Sequence, residues 1–259
     1  MEKEKIMEPL SVVVITYNEE KNIGRCLASV KDIADEIVIV DSLSTDRTEE
    51  ICKSFNARFF VRSFDGYVQQ KQYATDLAQY PWIFSIDADE AVSHVLRQNI
   101  KEIKQKWKFD AFFCSRLTNY CGKFILHGDW YPDKKIRLFD RRCGSWTGGM
   151  IHEGFNPNPR AAVGRCKGDI LHFSYTSISR HIEQLNYFTD IMAKDAQAGS
   201  KKSPLSKIIF NPFWKFIKSY IFRLGFLDGY FGFVIAVISS FATFIKYVKL
   251  RALIKSSEQ

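Results

Sequence analysis

No pair of cysteines in this chain stands at CxxC spacing, although six are present, at 26, 52, 114, 121, 143 and 166. That leaves no cysteine zinc knuckle and no dithiol redox motif. The glycines form neither GxGxxG nor the GxxxxGK of a P-loop, so the two commonest phosphate cradles are missing. The histidines lack HExxH spacing, which counts against a metal-dependent hydrolase built on His127, His152, Glu153 and His172. The opening stretch MEKEKIMEPL is charged and has no apolar signal-peptide core. Scattered thiols behind such a start predict a reduced, cytoplasmic protein. There is no internal repeat and no low-complexity segment.

Acidic residues are scarce in one region. Residues 201–259 hold ten Lys/Arg but only Asp228 and Glu258, while residues 1–200 hold 27 of each sign. A neutral body offers no footprint for nucleic acid. A basic tail rich in Phe, Tyr and Trp suits an anionic membrane surface instead. With 259 residues, 46% of them hydrophobic, the chain can bury one large core and carry an appendage.

What is present is an alternation of buried strands and amphipathic helices. LSVVVIT (10–16), EIVIVDS (36–42), ARFFVRSF (57–64) and WIFSID (82–87) read as strands. Helical patterns follow at 17–33, 44–55, 68–79 and 93–107; Ile23, Leu27 and Val30 share one helix face. Strands apolar throughout, alternating with helices, predict an α/β fold with a mostly parallel sheet covered on both faces. Past residue 107 come shorter strand-like pieces, a Gly-rich bend at 145–155, a hairpin at 162–175 and a long helix at 177–199 ended by Gly199. The expected organisation is a catalytic domain over 1–200, with a nucleotide-binding half at about 10–92 and an acceptor half at about 93–200, then a helical tail over 201–259.

Within the tail, Gly229 to Ile245 are 17 uncharged residues, at the lower limit of about 17–25 for a spanning helix. The favoured expectation is helices lying in the membrane interface, with Phe213, Trp214, Phe216, Tyr220 and Phe222 toward lipid. A spanning helix and a dimerisation surface are the alternatives.

In open α/β sheets, ligands bind beyond the carboxyl ends of the strands. Thr16, Tyr17, Asn18 and Glu19 follow the first strand, Asp41 ends the second, and Asp87-Ala88-Asp89 ends the fourth. Asp41 can accept hydrogen bonds from a base edge or a ribose, while Ser44, Thr45 and Asp46 can cap the helix that follows. Two carboxylates at i and i+2 leaving a strand suit Mg²⁺ or Mn²⁺. His172 ends another strand-like run and can approach such an ion. Trp130 and Tyr131 are candidates to stack on a sugar ring, Arg137 to hold a phosphate or carboxylate, and His152 to orient its neighbour Glu153 or touch an acceptor.

Four blocks carry a resemblance: VVVITYNEEKNIGRCLASV, EIVIVDSLSTDRTEEI, QQKQYATDLAQYPWIFSIDADE and RLFDRRCGSWTGGMIHEGF. Together, over roughly 10–175, they resemble the family 2 glycosyltransferases, in the lipopolysaccharide-core β-glucosyltransferase-like branch. The resemblance implies a GT-A fold, a nucleotide-sugar donor, a divalent metal at DxD and inversion at the anomeric carbon. It assigns Thr16, Tyr17, Asn18, Glu19, Asp41, Ser44, Lys71, Asp87 and Ala88 to the donor, Asp89 to the metal and Glu153 to the catalytic base. IHEGF stands where many relatives have an ED pair. The QxxRW block of processive synthases is absent, which implies addition of a single sugar.

The expected activity is hexose transfer, from UDP-glucose or a similar donor, onto a lipid-linked saccharide such as a lipopolysaccharide core. The expected place is the cytoplasmic face of the inner membrane, held peripherally or monotopically through 204–255, with a homo-oligomer an open possibility. Transfer to a polyprenyl phosphate is the alternative, followed by a hydrolase and by a non-catalytic membrane-binding module.

Overall fold

The computed structural model describes residues 8–149 and 153–257. In chain order the elements are β1 (Leu10–Thr16), α1 (Ile23–Val30), β2 (Glu36–Asp41), α2 (Thr48–Ser54), β3 (Arg58–Val61), α3 (Tyr67–Leu77), β4 (Trp82–Asp87), β5 (Glu90–Val92), α4 (His94–Gln105), β6 (Ala111–Tyr120), β7 (Lys123–Phe124), β8 (Asp133–Asp140), β9 (Gly144–Thr147), β10 (Gly154–Pro157), β11 (Val163–Tyr175), α5 (Ile178–Ala198), α6 (Leu205–Ile217) and α7 (Gly229–Ser257). Two compact units form. One comprises residues up to 116 together with Asp133–Phe173; the other comprises Leu117–Pro132 and the chain from Ser174 onward. The sequence placed a boundary near 200; the structure groups α5 and the segment 117–132 with the tail.

The first unit is an α/β layer structure on a mixed sheet of order β3-β2-β1-β4-β8-β6-β11-β5. Its β3-β2-β1-β4 half is parallel, and β8 turns it antiparallel. The central strands β1, β2 and β4 are apolar at most positions because both faces are buried. Leu10, Val12, Val14, Phe84 and Ile86 face α1 and α4, which contribute Ile23, Leu27, Val30, Leu96 and Ile100. Val13, Val38, Val40 and Ile83 face Ala74 and Ala78 near α3 and the Trp146 and Phe155 rings of β9 and β10. Each such aliphatic side chain contributes roughly 1.5–3 kcal/mol on burial.

Two departures from simple alternation shape the antiparallel half. On β8, Leu138 pairs with Phe112 but Ile136 pairs with Phe113, so Arg137 is an extra, bulged residue. The packing agrees: Leu138 lies in one core cluster and Ile136 in the other, although two residues apart on a regular strand would share a face. The segment 162–175, expected as a hairpin, is instead the single strand β11. Gly168 carries a φ of +83°, and a Cβ there would meet the Leu96 amide nitrogen at 2.4 Å. This glycine seats β11 on the start of α4, where Asp169 and Ser93 exchange hydrogen bonds. Beyond it, β11 pairs antiparallel with β5 and sets His172 opposite Glu90.

In the second unit, α7 packs on α5 and α6. Lys249 holds Asn186, Thr189 and Asp190 of α5, Leu250 packs with Ala193 and Ala196, and Ser240 bonds the Pro212 carbonyl of α6. Asp228, just before α7, accepts from the Leu126 and His127 amides, and Asp129 pairs with Lys215 and Arg223. Phe213, Trp214 and Phe222 are exposed as expected. Phe216 and Tyr220 are not: they stack on each other and meet Phe233 edge-on. The stretch Gly225–Ser257 is long and apolar enough to cross a membrane by length and composition.

Gly168→Ala is expected to cost about 1–3 kcal/mol, because both the left-handed backbone and the contact with Leu96 resist a side chain. A thermal melt checks the loss, and a lowered melting point with intact helix content is the expected result.

Candidate active site

The parallel register brings the strand ends together. Thr16 lies beside Asp41, and Ile15 lies beside Asp87. The loops after β1 and β2 are laced to each other. Asn18, held at a φ of +52°, donates its amide to Ser44 Oγ and accepts from the Thr45 amide. Asp41, 3% exposed, accepts from the Ser44 amide at 2.7 Å and from Ser44 Oγ at 2.5 Å. Ser44 and Thr45 therefore bind the loop pair rather than cap α2; Asp46 meets the Thr48 amide at the helix start. Glu19 gives its amide to Thr48 and accepts from Asn22. Tyr17 is exposed, while the Thr16 hydroxyl is buried with no hydrogen-bond partner among the described residues.

The DxD carboxylates divide. Asp87 turns inward, with Lys71 Nζ at 2.9 Å and Arg137 Nη2 at 2.7 Å. Burial alone would raise its pKa, but Arg137 and then Lys71 hold it well below the usual range. Asp89 turns the other way, and its Oδ2 lies 3.2 Å from His172 Nε2. Ala88 between them is buried in the core. Two donors of the right type thus converge at Asp89 and His172. Among the described residues no third His, Cys, Asp or Glu joins them. A pair of this kind fits Mg²⁺ or Mn²⁺, which usually take one or two protein ligands and complete their shell with water and phosphate oxygens.

Lys71 sits on α3 with 2% of its side chain exposed, and its ammonium bridges Asp87 and Glu153 at 2.9 Å each. Glu153 precedes β10, whose Phe155 stacks on Phe139 and whose partner strand β9 donates the Trp146 indole to Thr75 of α3. The packing of the hairpin therefore delivers Glu153 to Lys71. Burial would raise the Glu153 pKa, but Lys71 outweighs it and lowers it.

Sequence reasoning missed Glu90 and Arg116. Glu90 is fully buried: it accepts from the Asp87 amide and lies 3.3 Å from Arg137 and 3.6 Å from Arg116. Three acids in DADE were its only signal. Arg137, expected at an acceptor, is 2% exposed with Nη2 committed to Asp87 and Glu90, because the bulge aims it under the rim. Trp130 and Tyr131, expected as a sugar platform, belong to the second unit. There Trp130 stacks on Tyr175 and meets Tyr120 and His181 edge-on, so its ring serves packing. His152 lies outside the described residues.

The profile of Glycosyl transferase family 2 matches residues 11–163. The chain belongs to that family. It is similar to the uncharacterized glycosyltransferase RT0209 of Rickettsia typhi, at 32% identity over 95% of this chain and 88% of that protein. It is also similar to the lipopolysaccharide core biosynthesis glycosyltransferase LpsC of Rhizobium meliloti, at 30% identity over 93% of this chain and 92% of that one. Among solved structures, S. aureus TarS 1–349 in complex with UDP-GlcNAc aligns with a TM-score of 0.49 and 14% identity, over 96% of this chain and 92% of that one. Membership of family 2 makes the chain a glycosyltransferase on the α/β GT-A-type architecture described above.

Lys71→Met should leave Asp87 and Glu153 without their shared cation and destabilise the protein by about 3–5 kcal/mol at neutral pH. Both carboxyls have depressed pKa values in the folded protein, so the stability they contribute is present above the unfolded value of about 4 and is lost as pH falls through the folded one. Melting curves taken from neutral to acid pH should show the gap between wild type and mutant narrowing toward acid.

Proposed function

We propose that this family 2 enzyme inverts configuration while moving a hexose from a UDP-sugar onto a lipid-linked saccharide of the lipopolysaccharide-core type. The observation that carries the reading is the single Lys71 ammonium shared by Asp87 at the donor-side strand end and by Glu153. It supports one cleft with carboxylates on the diphosphate side and a base on the other. LpsC, which aligns over nearly the whole chain, supports the acceptor class.

In this reading the Thr16–Glu19 and Asp41–Ser44 loops bind the nucleoside. The unmet Thr16 hydroxyl and the remaining lone pairs of Asp41 are available to a base edge or ribose. Glu153, ionised at neutral pH because of Lys71, takes the proton of the acceptor hydroxyl as that oxygen attacks the anomeric carbon. Lys71, beside Asp87 at the strand end, offsets the negative charge that collects on the departing diphosphate, while Arg137 holds Asp87 in place from below. Asp89 and His172 would hold a divalent ion, which when bound supplies Lewis-acid neutralisation of that charge.

The exposed Phe210, Phe213, Trp214 and Phe222, interleaved with Lys207, Lys215 and Lys218, support attachment to an anionic bilayer on the cytoplasmic side. The helix α7 lies in the interface rather than crossing. Its second half is docked on the charged helix α5, and the uncharged run before that is 17 residues, at the lower limit of about 17–25 for a span.

A screen of UDP- and GDP-hexoses with Mn²⁺ or Mg²⁺, read as nucleotide release on addition of extracted core saccharide, tests the assignment. Glu153→Gln should lower kcat by about 100-fold or more while leaving donor affinity near wild type; equal turnover would remove Glu153 as the base. Replacing Phe213, Trp214 and Phe222 together by Ser should release the protein from anionic vesicles in a flotation assay. Unchanged flotation would contradict the interfacial attachment.

A further inference from the structure

A cavity of about 400 Å³ opens between β8 and the β9–β10 hairpin, within the size range of small-molecule sites. Its wall includes Lys134, Lys135, Arg137, Trp146, Glu153 and Phe155. None of the nucleotide-loop residues and neither DxD carboxylate lines it. The cavity therefore reaches Glu153 from a side other than the one assigned to the donor.

Its charge is lopsided. Three cations line it against one carboxylate, and that carboxylate is already paired with Lys71. Asp133, at the start of the same strand, is taken by Arg116 at 2.7 Å. Neither Lys134 nor Lys135 has an ion pair among the described residues. Arg137 spends Nη2 on Asp87 and Glu90, while its buried Nε and Nη1 have no hydrogen-bond partner there. Buried donors are nearly always met, so two unmet donors on one side chain call for an acceptor atom that the described residues do not supply. Burial also pulls the Lys135 ammonium below its usual value, with Asp133 and Glu153 opposing and Arg116 and Arg137 reinforcing that effect. An anion seated there would relieve the crowding of like charge.

We propose that this cavity is the acceptor subsite and that the acceptor saccharide carries an anionic group, a phosphate or a carboxylate, bound by Lys134, Lys135 and the free edge of Arg137. Its hydroxyl then lies toward Glu153. The proposal rests on the reading of Glu153 as the base. A neutral sugar would leave the buried donors of Arg137 unmet; an oxyanion meets them and pairs with both lysines, each charge-assisted bond contributing more than a neutral one.

The test uses the full chain and three probes: glucose 6-phosphate, glucuronate and methyl glucoside, titrated calorimetrically in the presence of UDP and Mg²⁺. Wild-type protein should bind at least one anionic sugar about tenfold or more tightly than the neutral one, and the better of the two identifies phosphate or carboxylate as the group recognised. The Lys134→Ala/Lys135→Ala variant should lose about tenfold of that preference, and Lys134→Arg/Lys135→Arg should keep most of it. UDP affinity, measured on the same samples, should stay unchanged across all three proteins. Equal binding of charged and neutral sugars, no binding of either anionic sugar, or full retention of the preference in the double alanine variant would overturn the anionic subsite. Failure of UDP to bind wild-type protein would instead strike the donor reading, a separate outcome.

Discussion

One buried ammonium organises the site. Lys71 has almost no contact with water, and its charge is tolerable only because Asp87 and Glu153 both face it. The converse holds for the two carboxylates, which come from segments far apart in sequence. The ammonium also lies 5.3 Å from the centre of the Trp146 ring, so the residue that docks the hairpin on α3 shelters the cation as well. Three pieces of chain, α3, the end of β4 and the approach to β10, are thereby fixed to one point. The candidate base is positioned and ionised by the same contact.

Around that point the carboxylates at the strand exit are sorted by neighbour rather than by sequence. Asp87 and Glu90 face Arg137 and form a buried charge layer, whereas Asp89 is left with a histidine from β11. The tandem motif is thus two different sites. Its first member is held by two cations, Lys71 and Arg137, and its second by one histidine, His172.

The parallel half of the fold was legible because each strand is buried on both faces and each helix shows its periodicity. Strand ends then located Thr16, Asp41 and Asp87 without further information. The antiparallel half was less so. Arg137 reads as a surface cation because nothing in KKIRLF announces a bulge. β11 reads as a hairpin because Gly168 is as compatible with a turn as with a kinked strand. Glu90 reads as one more solvated acid, since burial by Arg137 and Arg116 depends on residues far along the chain. Trp130, Phe216 and Tyr220 show the same limit: an aromatic side chain looks identical in sequence whether its ring faces water, lipid or another ring.

The inserted residue on β8 changes the parity of the strand. Ile136 before it lies in one core cluster and Leu138 after it in the other, where an unbroken strand would put both on one face. Lys134 and Lys135 precede the change and Leu138 and Phe139 follow it. Any redesign of this strand that assumes an unbroken two-residue rhythm would exchange one buried face of the sheet for the other over half its length, so Arg137 acts as the phase marker from which both halves must be numbered.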